Sequence, residues 1–312
     1  MKAAQINNYG HADAVKVQEA SKPVAGDGQV LIEVHASSIN PFDSMVREGF
    51  LKDTIPLNFP VTLGGDISGI ITEIGEGVID FKIGDKVYGQ ANVVGGASGA
   101  FAEFATTKSS QIGKMPANLS YTDSAAIVMT GLSAYQVIYE HMKLQAGQTI
   151  LIHGGAGGIG SVAIQMVKHL GARVITTASG DGVMFAKDLG ADEVIDYRSQ
   201  KFEDLVTGVD AVFDTVGGET YDKSFNVMKK GGVIVSMTTQ PNEELSEKFG
   251  VSAIYQSTHT STEQLDKLAK LINEGIVTVR VDKVFALDQI KQAFEARESG
   301  SVKGKLAIKI KD

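Results

Sequence analysis

The chain of 312 residues contains no cysteine. That one absence removes disulfides, thiolate-bound zinc, iron–sulfur clusters and cysteine nucleophiles together. Histidine is sparse: six residues and no His-x-x-x-His pair, so a transition-metal site is not expected. No stretch approaches the ~18 uninterrupted apolar residues of a membrane span, and the first twenty residues are polar and charged throughout, without the apolar core of a signal peptide. A cytoplasmic location is the expectation. No basic run occurs, and a net charge of −8 with a pI near 5.3 speaks against nucleic acid or an anionic membrane as partner. What is present, 43% hydrophobic and 21% charged residues, suits a globular protein long enough for two separate cores.

The most informative segment is Leu151-Ile152-His153-Gly154-Gly155-Ala156-Gly157-Gly158-Ile159-Gly160, an apolar strand running into a glycine-rich turn and then a helical pattern. Gly155, Gly157 and Gly160 fit G-x-G-x-x-G, in which the first glycine is expected to make the tight turn, the second to admit a pyrophosphate and the third to let helix and strand pack closely. The anion would sit on the helix N-terminus, against unpaired N–H groups. An ordinary strand-to-helix turn has the same glycines. The second strand from Arg173 to Thr177 completes a βαβ unit of ~30 residues and favours a dinucleotide site.

The first ~120 residues read as short strands separated by glycine turns, with strands over 29–35 and 67–74. A helical pattern spans 123–142. Strands then alternate with helices, at 149–154, 173–177, 193–197, 211–216, 232–237 and 251–256. Their near-continuous apolar character predicts a parallel sheet covered on both faces. A helix over 263–273, a strand over 279–284, a helix over 287–298 and a strand over 306–310 return to mixed structure. The expected fold is α/β, a Rossmann doubly wound domain over 124–259 inserted in a β-rich domain of 1–123 completed by 260–312.

With those landmarks the whole chain resembles the medium-chain dehydrogenase/reductase superfamily, and within it the zinc-free quinone oxidoreductases and enone reductases. The resemblance rests on MKAAQINNYG at the start, Gly-Asp-Lys-Val-Tyr-Gly at 84–89, Thr130-Gly131, the GGAGGIG loop, Leu189-Gly190-Ala191-Asp192, Phe213-Asp214-Thr215-Val216-Gly217-Gly218 and Gly304-Lys305. It implies a GroES-like domain for the β-rich part, with substrate and nicotinamide held between the two domains. In the zinc-dependent branch a cysteine would stand near Asn40, Gly-His-Glu near Gly64-Gly65-Asp66 and a second cysteine near Met129 or Thr130; none of these ligands is present. The resemblance therefore implies reduction of a quinone or an α,β-unsaturated carbonyl, which accepts hydride at carbon without a Lewis acid.

NADP(H) is the cofactor expected. The family's acidic position at the end of the second strand falls on Ala178, leaving room for a 2′-phosphate, and Ser179, Tyr197 and Arg198 resemble its partners. The family's phosphate-reaching lysine maps to Gly182, and Asp181 offers the opposite reading, a carboxylate for a 2′-hydroxyl. The remaining cofactor candidates are Gly155, Ala156, Gly157, Gly158, Ile159 and Gly160 in the loop, and Val216, Met237 and Thr238 at strand ends. Asn40, in the loop 40–43, is read either as an amide donor to substrate or nicotinamide ribose or as an Asn-Pro turn former; Thr130 either meets the ribose or bonds within its own helix. Asp43 is the third candidate catalytic residue, and no proton donor stands out. The glycine-rich stretch 93–100 reads as a mobile cover or a plain turn. The sixth strand is an apolar, proline-free edge, which predicts a homodimer. Two other functions remain open: a nucleotide-binding sensor with little turnover, and a metal-free dehydrogenase of another carbonyl compound.

Overall fold

In the computed structural model, which describes residues 1–300 and 302–311, the chain packs as two units. The first comprises Met1–Met129, Thr260–Asn273 and Arg280–Asp312, the second Thr130–His259 and Glu274–Val279. Among the described residues no helix is long and apolar enough to cross a membrane.

The first unit is β-rich. Its seven-stranded sheet runs Val281–Ala286, Lys305–Lys309, Gln29–Ser38, Asp66–Ile74, Lys86–Gln90, Ile112–Lys114, with Phe104–Lys108 also pairing Gln29–Ser38. A smaller sheet joins Lys16–Glu19, Lys2–Ile6 and Val61–Thr62. Register is set by apolar side chains that must face inward: Val30, Ile32, Val34, Ile67, Ile71 and Val87 form one buried cluster. The same register puts Ser38 opposite Asp66 and Asp66 opposite Gln90, a polar row across three strands.

The second unit is a six-stranded parallel sheet ordered Glu193–Asp196, Arg173–Ala178, Thr149–Ile152, Val209–Asp214, Met228–Ser236, Ser252–Tyr255. In chain order this is 3-2-1-4-5-6, the doubly wound topology with its switch point between the first and fourth strands. The core gathers Leu151, Ile175, Val212, Ile234 and the aromatic pair Tyr221 and Phe225. The sixth strand is at the sheet edge, paired among the described residues with Met228–Ser236 alone.

Two local expectations are corrected. Residues 41–48 form a helix, Pro41–Glu48, not a loop: Pro41 presets φ at the first helical position and the Asp43 carboxylate caps the Asn40 N–H at 2.7 Å. The single helix expected over 123–142 is an α-helix, Tyr121–Tyr135, followed by a π-helical turn, Gln136–His141. Gln136 there is fully buried and donates to the His259 carbonyl at 2.6 Å, a polar constraint that apolar periodicity does not report. The stretch 93–100 is pinned at its end, where the Ala100 N–H donates to the Gly64 carbonyl at 3.1 Å and a Cβ on Gly99 would meet the Thr62 oxygen at 2.3 Å.

Candidate functional site

The phosphate-loop candidate is built from backbone. After the strand Thr149–Ile152 and the buried His153, the chain turns at Gly154 with φ 77°. The left-handed residue is thus Gly154, not Gly155 as expected. Gly155 is required by space instead: a Cβ there would lie 2.2 Å from Thr176 Oγ1. At Gly160 a Cβ would lie 2.3 Å from the Gly154 carbonyl oxygen, the close approach the third glycine permits. Gly157, with ordinary extended dihedrals, caps the helix Gly158–His169 without a side chain.

A count of loop donors follows from this geometry. Gly154 N–H donates to Thr177 Oγ1 at 3.2 Å, Gly155 N–H to the Thr177 carbonyl at 2.9 Å and Gly157 N–H to the Gly154 carbonyl at 2.9 Å. Among the described residues the N–H groups of Ala156, Gly158, Ile159 and Gly160 have no acceptor. Four unpaired donors at one helix N-terminus are the arrangement that holds an anion.

Beside the loop, at the end of Arg173–Ala178, Ala178 is buried and its carbonyl accepts the Tyr197 N–H at 3.2 Å. Ser179 Oγ donates to the Tyr197 hydroxyl at 2.9 Å, with the Tyr197 ring 59% exposed. Arg198 is exposed, its N–H held by Asp196 at 3.0 Å. A Cβ on Gly182 would lie 2.8 Å from the Ala156 Cβ, so this position is glycine because it approaches the phosphate loop, and a lysine there would displace it.

Two further loops leave the strand ends. Asp214, fully buried, accepts the N–H groups of Val216 at 3.0 Å and Gly217 at 2.9 Å on one oxygen and the Ser236 hydroxyl at 2.6 Å on the other. Ser236 Oγ accepts the Thr238 and Thr239 N–H groups at 3.1 and 3.0 Å. One carboxylate and one hydroxyl therefore shape the segments that present Val216, which is 55% exposed, the half-buried Met237 and the exposed Thr238. Asp214 and Ser236 escaped the sequence reading; the signal was an aspartate directly before Thr-Val-Gly-Gly, the composition of an Asx turn.

In the first unit the candidate residues meet in a buried polar cluster. Asp66 Oδ2 accepts Ser38 Oγ at 2.6 Å and Asn40 Nδ2 at 2.7 Å, and Oδ1 accepts Gln90 Nε2 at 2.9 Å. Lys305 Nζ donates to Asn40 Oδ1 at 2.5 Å and to the Ile39 carbonyl at 2.9 Å, and lies 3.6 Å from Asp66 Oδ2. Burial depresses the Lys305 pKa against the pull of Asp66 and Asp43. Burial also pushes the Asp43 carboxyl up to about 7, opposed by the Asn40 N–H and helped by the Asp66 charge. Asn40 is thus held by its protein neighbours at both ends of its amide, a constraint absent from the sequence reading; Lys305, Ser38 and Gln90 were not anticipated there. Thr130 is buried on the helix Tyr121–Tyr135.

A catalytic zinc does not fit these residues. Each oxygen that Asn40 and Asp66 could offer already accepts a hydrogen bond, from the Lys305 ammonium, Gln90 or Ser38, Gly65 has no side chain, and a fixed cation at this spot would repel a dication. Among the described residues no group of three or more His, Asp or Glu side chains is placed to hold a metal.

Residues 26–117 match the model of the alcohol dehydrogenase GroES-like domain and residues 189–308 that of a zinc-binding dehydrogenase. Over 99% of its length the chain is 34% identical to a 2-methylene-furan-3-one reductase of Solanum lycopersicum, covering 79% of that protein. A quinone oxidoreductase from Coxiella burnetii matches with a TM-score of 0.92 and 35% identity, over 100% of this chain and 99% of that one. The Escherichia coli quinone oxidoreductase complexed with NADPH matches with a TM-score of 0.89 and 25% identity, over 99% and 100%. The chain belongs to the medium-chain dehydrogenase/reductase family and is an oxidoreductase of that family.

Proposed function

We propose that the chain is an NADPH-dependent reductase that passes hydride to a quinone or an α,β-unsaturated carbonyl compound without a metal. The observation that carries this reading is the set of four unpaired N–H donors at Ala156, Gly158, Ile159 and Gly160, a seat for the pyrophosphate. Bound there, NADPH supplies the hydride. Ser179, Tyr197 and Arg198 face the 2′-phosphate, Val216, Met237 and Thr238 line the strand ends, and Asn40, Asp43 and Thr130 are the candidate catalytic residues. An enone receives hydride at its β-carbon and a proton at its α-carbon. A quinone takes up hydride and a proton to give the hydroquinone. Asp43, with its carboxyl held up near 7, is a residue able to hold that proton at neutral pH.

The test is steady oxidation of NADPH across quinones and alkenals, before and after prolonged chelation. Turnover with either class, unchanged by the chelator, supports the reading. Tight NADPH binding without turnover supports the sensor, and loss of rate on chelation overturns the metal-free part. A cytoplasmic placement and a homodimer through Ser252–Tyr255 belong to the same proposal; the edge strand has no partner on its outer side among the described residues and Tyr255 is 39% exposed. Ile254→Pro removes a ladder donor and should shift the mass by light scattering from dimer to monomer; a monomeric unaltered protein would overturn this interface.

A further inference from the structure

His153 closes the strand beneath the phosphate loop, with a ring that is 0% exposed and packed edge-on to Phe202 at 4.6 Å. Both ring nitrogens have partners, and the donors around them fix which nitrogen holds the proton. Ser224 Oγ gives its hydrogen to the Thr220 carbonyl at 2.6 Å, so toward His153 Nε2, at 2.9 Å, it can only accept. Nε2 therefore carries the hydrogen. Burial keeps the imidazole neutral, its pKa pushed down to about 4, which leaves Nδ1 as a lone pair facing the Thr177 hydroxyl at 3.3 Å. Thr177 Oγ1 donates to that lone pair and accepts the Gly154 N–H at 3.2 Å.

The bonds form one directed chain: Gly154 N–H to Thr177 hydroxyl, Thr177 to His153 Nδ1, His153 Nε2–H to Ser224 hydroxyl, Ser224 to the Thr220 carbonyl. Each hydroxyl donates once and accepts once along it, so successive dipoles align and polarise one another. Its first donor, Gly154, is the left-handed residue that aims the loop, and its carbonyl in turn accepts the Gly157 N–H. No apolar residue at 153 supplies an acceptor on one side and a donor on the other.

We infer that His153 is a positioning residue for the dinucleotide site, a neutral relay that ties the entry of the phosphate loop through Thr177 to Ser224 on the helix Glu219–Ser224. The inference rests on the reading that this loop binds the pyrophosphate of NADPH. It makes Ser224, two hydrogen bonds away from Thr177, a determinant of cofactor affinity.

The test is a double-mutant cycle on the NADPH dissociation constant of the full chain, read from nucleotide fluorescence, with the thermal midpoint of the free protein measured alongside. Thr177→Val leaves the Gly154 N–H without its acceptor and should weaken NADPH about tenfold. Ser224→Ala should weaken it about threefold, and the double variant should be no weaker than Thr177→Val alone, because one chain is broken once. Thr177→Ser keeps the hydroxyl and should restore the affinity. His153→Leu, which removes both the acceptor toward Thr177 and the donor toward Ser224, should fall with Thr177→Val. Additive losses, or lower midpoints with unchanged NADPH affinity, would reduce His153 to a core residue and overturn the inference. Failure of the unaltered chain to bind NADPH would overturn the cofactor reading and this inference together; binding that none of the variants disturbs overturns only the inference.

Discussion

The phosphate loop and the Asn40 cluster are two polar sites made in opposite ways. The loop exposes main-chain N–H groups by removing side chains, and Gly154, Gly155 and Gly160 in it answer to an atom within 2–3 Å or to a positive φ. The cluster buries its side chains and ties them to one another: the Asn40 carboxamide donates to Asp66 and accepts from Lys305, whose ammonium also donates to the Ile39 carbonyl and lies beside Asp66. A backbone-built site keeps its donors for a ligand and costs little fold stability to maintain. A side-chain-built site spends its groups on its own structure, so damage there falls first on folding and only then on chemistry.

The largest expected effect tests that distinction directly. Lys305→Met removes the ammonium and leaves the fully buried Asp66 with its charge uncompensated, which should cost about 3–5 kcal/mol of stability in urea unfolding. Adding Asp66→Asn to the same chain should recover part of the loss, since the orphaned charge goes with it. A Lys305→Met protein as stable as the unaltered one would show that the cluster is not held by its ion pair.

The two sites also differ in how far the sequence revealed them. G-x-G-x-x-G is local, ten residues in a row, so its strand, turn and helix could be read directly, and the six strands could be located from the apolar runs. The cluster is assembled from Ser38, Asn40, Asp66, Gln90 and Lys305, brought together by antiparallel register across 267 positions of chain. No spacing in the sequence encodes that juxtaposition. Lys305 was visible only as part of a Gly-Lys landmark, and the helix after Asn40 was hidden by the turn chemistry of Asn-Pro. At the loop itself the misplaced detail was which glycine turns; the sequence Gly154-Gly155 offers two, and the contact with Thr176 decides between them.

A pH profile sharpens the same comparison. Asp43 is raised from 3.8 to about 7, chiefly by burial. Because the folded state keeps the proton that the unfolded chain releases near pH 4, stability should fall as pH rises from about 4 to about 7 and then level off, by at most about 4 kcal/mol. Asp43→Asn cannot ionise and still accepts the Asn40 N–H, so its stability relative to the unaltered protein should rise across that window. Parallel profiles for the two proteins would place the Asp43 pKa in the ordinary carboxylate range.

The loop should respond in binding. Gly160→Ala sets a Cβ 2.3 Å from the Gly154 oxygen, a backbone contact that cannot swing away. Overpacking of about 1–3 kcal/mol corresponds to roughly ten- to a hundredfold weaker NADPH, with urea unfolding of the free protein changed by less than for Lys305→Met. Unchanged NADPH affinity would mean that the four free N–H groups are not where the pyrophosphate sits.

The subtlest effect concerns which dinucleotide the loop takes. Ala178 ends its strand beside the Ser179–Tyr197 hydrogen bond, at the place where a carboxylate in NAD-dependent relatives of this fold receives the ribose 2′-hydroxyl. Ala178→Asp puts a negative charge there. Since Ala178 is only 2% exposed, the new carboxylate must turn toward the open rim to stay hydrated, and that rim is where a 2′-phosphate would lie. Loss of one charge-assisted hydrogen bond, about 1.5–3 kcal/mol, predicts roughly ten- to a hundredfold weaker NADPH binding while NADH is spared or improved. Tyr197→Phe, which takes the acceptor from Ser179 Oγ without adding charge, should shift the NADPH-to-NADH ratio less and in the same direction. If the unaltered protein binds NADH more tightly than NADPH, the exposed Asp181 governs the choice and the 2′-phosphate assignment of Ser179, Tyr197 and Arg198 is wrong.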